Sequence, residues 1–233
     1  MAAHEDWLLY ERYFSPERLA PYLAESNNDN DLAMALYRWD ADARAAFLPP
    51  FGHLEVAVRN TLDQQMTARQ HRLGQHRHWV FDDAHQLGRD GGGPGRNVPP
   101  YVEIAAAMRH VLGNQKPLDA AQVISELPFG FWHQLVSKRQ NFLWPDLVGG
   151  FPFAPNRSAL SVRDIFARLR LLRNRIGHHH RVGGGNLAGR YDDILTLAGY
   201  IDPDLRDWID SHSSVTSVIS IRPRNDQVKG MVP

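Results

Sequence analysis

The chain has 233 residues, 43% of them hydrophobic, enough to bury a substantial core as one domain or two closely joined ones. Twenty-six basic and twenty-six acidic side chains cancel, so any attraction for a polyanion must be local. The absence of cysteine excludes disulfides and thiolate metal sites. No window has the uninterrupted apolar run of a signal peptide or a transmembrane span, and a cytoplasmic protein with no membrane partner is expected.

In chain order the apolar spacing is helical. Ser15-Pro16-Glu17 combines a capping residue with a proline at the first helical position, ahead of Leu19, Tyr22 and Leu23. The Asn27 to Asn30 cluster reads as a turn. Leu32, Leu36, Trp39, Ala43, Ala46 and Phe47 then mark a helix that Pro49-Pro50 is expected to break. A new helix is predicted from Phe51 towards Arg69, with Leu54, Val58, Leu62 and Met66 as its buried stripe and Glu55 and Arg59 as an ion pair beside it.

Histidines 71, 76, 78 and 85 are scattered in a polar region without the spacing of a metal site. The glycine-rich segment from Gly88 to Pro100 predicts a flexible loop and does not match a phosphate-binding loop. Pro99 and Pro100 introduce a helix with Tyr101, Ile104, Ala105, Met108, Val111 and Leu112 inward. Asp119 caps a short segment carrying Val123, Ile124 and Leu127. Pro128-Phe129-Gly130-Phe131-Trp132 enters another helix, its aromatics suited to a core or, less commonly, to base stacking. The stretch from Phe142 to Pro155 reads as an irregular packed connection.

The next helix carries Val162, Ile165, Phe166, Leu169, Leu172 and Ile176 inward, and Ser161 with Asp164 resembles a capping box at its start. Gly183-Gly184-Gly185 ends regular structure. Tyr191, Ile194, Leu195, Leu197 and Ala198 suggest one more helix, and Asp202 caps another with Leu205, Trp208 and Ile209 inward. The expectation is an all-α fold, a helical domain over residues 1–210 with additional helices and irregular loops, and a flexible tail over 211–233.

Charge is unevenly distributed. Between Arg157 and Arg190 eight arginines and three histidines face a single acid, Asp164. Arg173 precedes His178 by five positions, about 140° apart on an ideal helix, so the two share a groove only if the helix ends near Gly177 or if two subunits build the site. The side chains suit RNA cleavage by the neighbouring 2′-hydroxyl. A histidine near neutrality moves protons, a guanidinium fork holds phosphate, and an amide orients either. Such chemistry needs no metal and no cofactor, because the substrate carries its own nucleophile. The same residues also describe a solvated cationic surface.

Arg173-Asn174-Arg175-Ile176-Gly177-His178-His179 resembles the signature of the Abi-like, or abortive-infection, branch of the HEPN superfamily: an arginine, four to six residues and a histidine, commonly with a polar residue after the arginine. Leu54-Glu55-Val56-Ala57-Val58-Arg59-Asn60, preceded by Leu36-Tyr37-Arg38-Trp39, is similar to the family's N-terminal helical motif, and Leu127 to Trp132 to its middle segment. The resemblance spans residues 15 to 210. It implies a HEPN-like helical bundle, a homodimer, and a metal-independent endoribonuclease acting as a toxin or in phage defence, with RNA as substrate and an antitoxin or regulatory protein as partner. It also implies Arg173, Asn174 and His178 as catalytic residues, and Glu55, Arg59, Asn60, Arg175, His179 and His180 as supporting ones. The alternative it leaves open is a noncatalytic module that binds RNA, a nucleotide or a protein partner. The triple histidine followed by Arg181 and three glycines departs from the pattern.

Overall fold

The computed structural model describes residues 2–82, 86–87 and 99–224, with side chains from Asp6 onward. Among these residues there are eleven α-helices and no strand, so the chain is all-α. The predicted loop over residues 88–98, His85 and the end of the tail lie outside the described residues.

Helix α1 (Ala2–Phe14) and helix α2 (Pro16–Glu25) fold against the first turns of α3 (Asn30–Arg72). Ser15 caps α2 by accepting from the Arg18 amide, and Asp29 caps α3 by accepting from that of Leu32. Asn27 and Asn28 take positive φ in the turn between them, as that asparagine cluster predicts. Trp7, Leu19, Tyr22, Leu32 and Leu36 form a small core here, while Phe47 through Met66 belong to the main one. Helix α3 therefore ties two cores together.

That role explains the largest departure from sequence expectation. Pro49 and Pro50 do not break the helix; α3 runs through them for 43 residues. Each proline removes an intrahelical hydrogen bond at a cost of about 3 kcal/mol. Ala46, Phe47, Phe51, Leu54 and Val58 are buried on either side, and full burial of a large side chain is worth roughly 1.5–3 kcal/mol. A continuous buried stripe outweighs two missing bonds.

The main core is closed by α4 (Tyr101–Gly113), α5 (Ala120–Glu126), α6 (Phe129–Leu135), α7 (Trp144–Leu147), α8 (Ala159–Gly177), α9 (Leu187–Ile201), α10 (Pro203–Ser211) and α11 (Val215–Ser220). Phe129, Phe131 and Trp132 are fully buried, so that aromatic run is core. The connection around α7 is a series of 3₁₀ turns, packed through Leu143, Leu147 and Phe151. Asp119 and Asp202 cap α5 and α10 as expected.

Four local expectations are corrected. Helix α8 starts at Ala159 behind Ser158, placing Ser161 inside the first turn and Asp164 in solvent, because a turn at Pro155–Arg157 already reverses the chain. Leu112 is exposed, and Ala107 takes its place in the core on α4. Trp208 is also exposed, stacked on His212 and edge-on to His53, since Ile209 fills the inward position of α10. The tail does not begin at residue 211. Helix α11 docks on α3, where Val215 is buried and the Trp39 indole N–H donates to the Val218 carbonyl at 2.8 Å.

Candidate functional site

Helix α8 buries Val162, Ile165, Phe166, Leu169, Leu172 and Ile176. At 100° per residue, Arg168, Leu171 and Arg175 fall on one flank of that stripe, and Arg170, Arg173 and Asn174 on the opposite flank. The helix ends where the motif requires. The His178 amide donates to the Asn174 carbonyl at 3.0 Å, that of His179 to Ile176 at 3.0 Å, and that of His180 to Arg175 at 2.7 Å. This is a Schellman-type termination, with His179 in the left-handed position usually given to glycine (φ 55). The Arg44 guanidinium donates to the His179 carbonyl at 2.6 Å, and Arg18 donates to the same oxygen. Two cations thus bind the negative end of α8, fixing the backbone while all three imidazoles remain exposed. The His178 and His180 rings lie 5.8 Å apart.

Below this turn, Arg170, Arg173 and Asn174 line a cavity of about 220 Å³ with Pro128, Phe129 and Gly130 from the start of α6. The Arg173 fork passes close to Gly177, where a Cβ would lie 3.3 Å from one guanidinium nitrogen. A side chain there would require the fork to give by a few tenths of an ångström. Glu55 of α3 accepts from the Phe129 amide. Burial pushes its carboxyl above the ordinary value, opposed by Arg173, then Arg59, then that amide. Glu55 therefore joins α3, α6 and α8 at one point.

Arg59 and Asn60 instead line a second hollow, about 420 Å³, with Asp63, His78 and Ser125. Arg59 acts on Glu55 through its charge, but Asn60 is not brought to Arg173. In the same hollow His78 caps a 3₁₀ turn, accepting from the Val80 amide at 3.3 Å, and the Trp79 indole donates to Asp63 at 2.6 Å. These are local structural roles. Arg175 also departs from expectation, because its fork donates to the Arg181 carbonyl on the other flank of α8. The structure thus gathers Arg173, Asn174 and Glu55, sets His178 just beyond Gly177, and separates Asn60 and Arg175 from them.

One residue was not legible as part of this region. His133 on α6 is half-buried, and burial, reinforced by Arg170 and Arg163, pushes its pKa below the ordinary value. The sequence signal is slight: one imidazole following an aromatic run, where a core helix is the simpler reading.

Among the described residues no three His, Cys, Asp or Glu side chains are grouped to hold a metal ion, and no helix is long and apolar enough to cross a membrane. No family model matches the chain, and neither curated proteins nor solved structures provide a match.

Proposed function

We propose that the chain is a metal-independent endoribonuclease of the HEPN type, acting as a toxin or in phage defence. The observation that carries this reading is the convergence of Arg173 and Asn174 in one cavity at the end of α8, with the exposed His178 one residue past the glycine that accommodates the Arg173 fork. Arg173 holds the scissile phosphate and stabilises the extra charge of its pentacoordinate transition state. Asn174 orients the phosphate or the imidazole by hydrogen bonding. His178 takes the proton from the 2′-hydroxyl or gives one to the leaving 5′-oxygen. The 2′-oxygen–phosphorus bond forms as the 5′-oxygen–phosphorus bond breaks, leaving a 2′,3′-cyclic phosphate and a 5′-hydroxyl. One His178 supplies one of the two proton transfers, and a second copy of the chain in a homodimer supplies the other.

A noncatalytic module binding RNA, a nucleotide or a protein partner is the second reading. It is favoured by the position of His178 outside the residues that line the cavity. Incubating the protein with total RNA and a labelled transfer RNA in excess chelator separates the two. Fragments ending in 2′,3′-cyclic phosphate, lost in Arg173→Ala and His178→Ala, are expected of the nuclease. Intact RNA that is nonetheless bound supports the module.

A further inference from the structure

The flank of α8 that carries Arg173 holds a second guanidinium, that of Arg170, which lines the same cavity beside Pro128, Phe129 and Gly130. Arg170 is exposed, and its stem lies over the start of α6, where a Cβ on Gly130 would sit 3.9 Å from the Arg170 Cδ. Three other arginines of α8 are engaged. Arg163 donates to the Val136 carbonyl at 3.2 Å and to the Asn141 side chain at 3.1 Å, Arg168 pairs with Asp193, and Arg175 donates to the Arg181 carbonyl. Among the described residues no hydrogen bond or ion pair engages Arg170. Its charge acts instead on another basic group, His133 of α6, whose pKa is pushed down by burial, then by Arg170 and Arg163.

An arginine with an empty fork can take an anion without displacing an acceptor of the protein, and its geometry suits a phosphate. Residues three apart on a helix are neighbours, with Cβ atoms about 5–6 Å apart, so the Arg170 and Arg173 forks can reach successive phosphates of one strand. The cavity limits what else is read. About 220 Å³ is less than the roughly 300–1,000 Å³ of sites that enclose a small molecule, so a phosphate enters and a base stays outside. Phe129 is 1% exposed and offers no ring face for a base to stack on. Contacts of this kind position a strand without reading its sequence.

We infer that Arg170 binds the phosphate next to the scissile one, so that a single RNA strand lies along this flank of α8, from Arg170 towards the end of the helix. The inference rests on the nuclease reading for the placement of the scissile phosphate at Arg173.

The test is a salt titration of binding, followed by fluorescence anisotropy, with a labelled 2′-deoxy oligonucleotide that lacks the nucleophile. Losing one phosphate contact on a single strand reduces the slope of log affinity against log salt by about 0.7. Arg170→Gln is expected to show that reduction and to bind about tenfold more weakly at low salt, equivalent to about 1.4 kcal/mol. Arg170→Lys keeps the charge and is expected to keep the slope. Arg206→Gln removes an exposed cation from α10 and is expected to leave slope and affinity unchanged. In a second arm, cleavage of a ribose dinucleotide with a single phosphate is compared with that of a longer ribose strand. Arg170→Gln should cut the dinucleotide as the unmutated chain does, and the longer strand with kcat/KM lower by about tenfold. No binding of the strand, an unchanged slope in Arg170→Gln, an equal loss in Arg206→Gln, or equal losses on both ribose substrates would each overturn the inference. Failure of the unmutated chain to cut either substrate would overturn the nuclease reading instead, and the salt slopes would still decide whether Arg170 holds a phosphate.

Discussion

The two flanks of α8 carry the same residue type in different electrostatic settings. On one, Arg168 and Arg190 hold Asp193 between them and Arg181 holds Glu25, so the guanidiniums brace α8, α9 and α2 against one another. On the other, Arg170 and Arg173 line a small cavity, and the charge of Arg173 acts on Glu55, which also accepts from the Phe129 amide and is disfavoured as an anion by burial. Arginine density is similar on both sides. What differs is whether an acceptor of the protein already occupies the fork, as Asp193, Glu25 and the Arg181 carbonyl do for Arg168, Arg181 and Arg175.

The contrast is sharpened most by exchanging alanine for arginine on each flank. Arg173→Ala is expected to lower RNA cleavage by about 10² to 10³ while shifting stability by less than about 1 kcal/mol. Arg168→Ala should do the reverse, losing stability in urea unfolding while the remaining folded protein cleaves normally. Equal activity losses on both flanks would break the distinction. Asp193→Ala, which frees two guanidiniums at once, is expected to cost about 2 kcal/mol in the same unfolding measurement. His179→Gly relieves a left-handed backbone that glycine adopts freely and should raise stability by about 1 kcal/mol. Unchanged cleavage in that variant would leave His178 and His180 as the imidazoles available for chemistry.

The smallest effect concerns Glu55. Its carboxyl is raised in the folded chain, so ionisation is less favourable folded than unfolded, and ionised Glu55 subtracts stability above its folded pKa. That loss is recovered as pH falls through the folded value towards the ordinary one. Glu55→Gln removes the dependence. Subtracting the variant's urea midpoints from those of the unmutated chain should give a difference that grows in favour of the unmutated chain as pH drops from neutrality. A difference of the opposite slope would show that Arg173 and Arg59 outweigh burial.

Much of the fold was legible because its signals are local. The stripe of Leu54, Val58, Leu62 and Met66 is buried as the spacing predicts, and Ser15, Asp119 and Asp202 cap the helices that follow them. Pro49-Pro50 misled because the break is a local property and the burial that overrides it is tertiary. Trp208 and Leu112 misled because helical periodicity places a residue on a face without saying what covers that face. At the site, the sequence put Arg173, Asn174 and His178 at the end of one helix, and the structure ends α8 there. It could not show that Arg175 is held by the Arg181 carbonyl, or that Asn60 faces a different hollow. Nor could it show that the buried Asp40 reaches 142 residues along the chain to accept from the Val182 amide at 2.9 Å. That last contact, joined by the Gly183 amide at 2.6 Å, holds the turn after the histidines against α3. Gly183 is required there, as a Cβ would meet the Trp39 ring at 2.5 Å.

The central claim is that the substrate's own 2′-hydroxyl is the nucleophile and that the Arg173 cleft supplies only charge and proton transfer. It is tested most directly with one oligonucleotide sequence prepared with ribose and with 2′-deoxyribose sugars, incubated with the protein in excess chelator and followed for both binding and cleavage. The account predicts that the ribose strand is cut to a 2′,3′-cyclic phosphate while the deoxyribose strand is bound and left intact. Cleavage of the deoxyribose strand would contradict it.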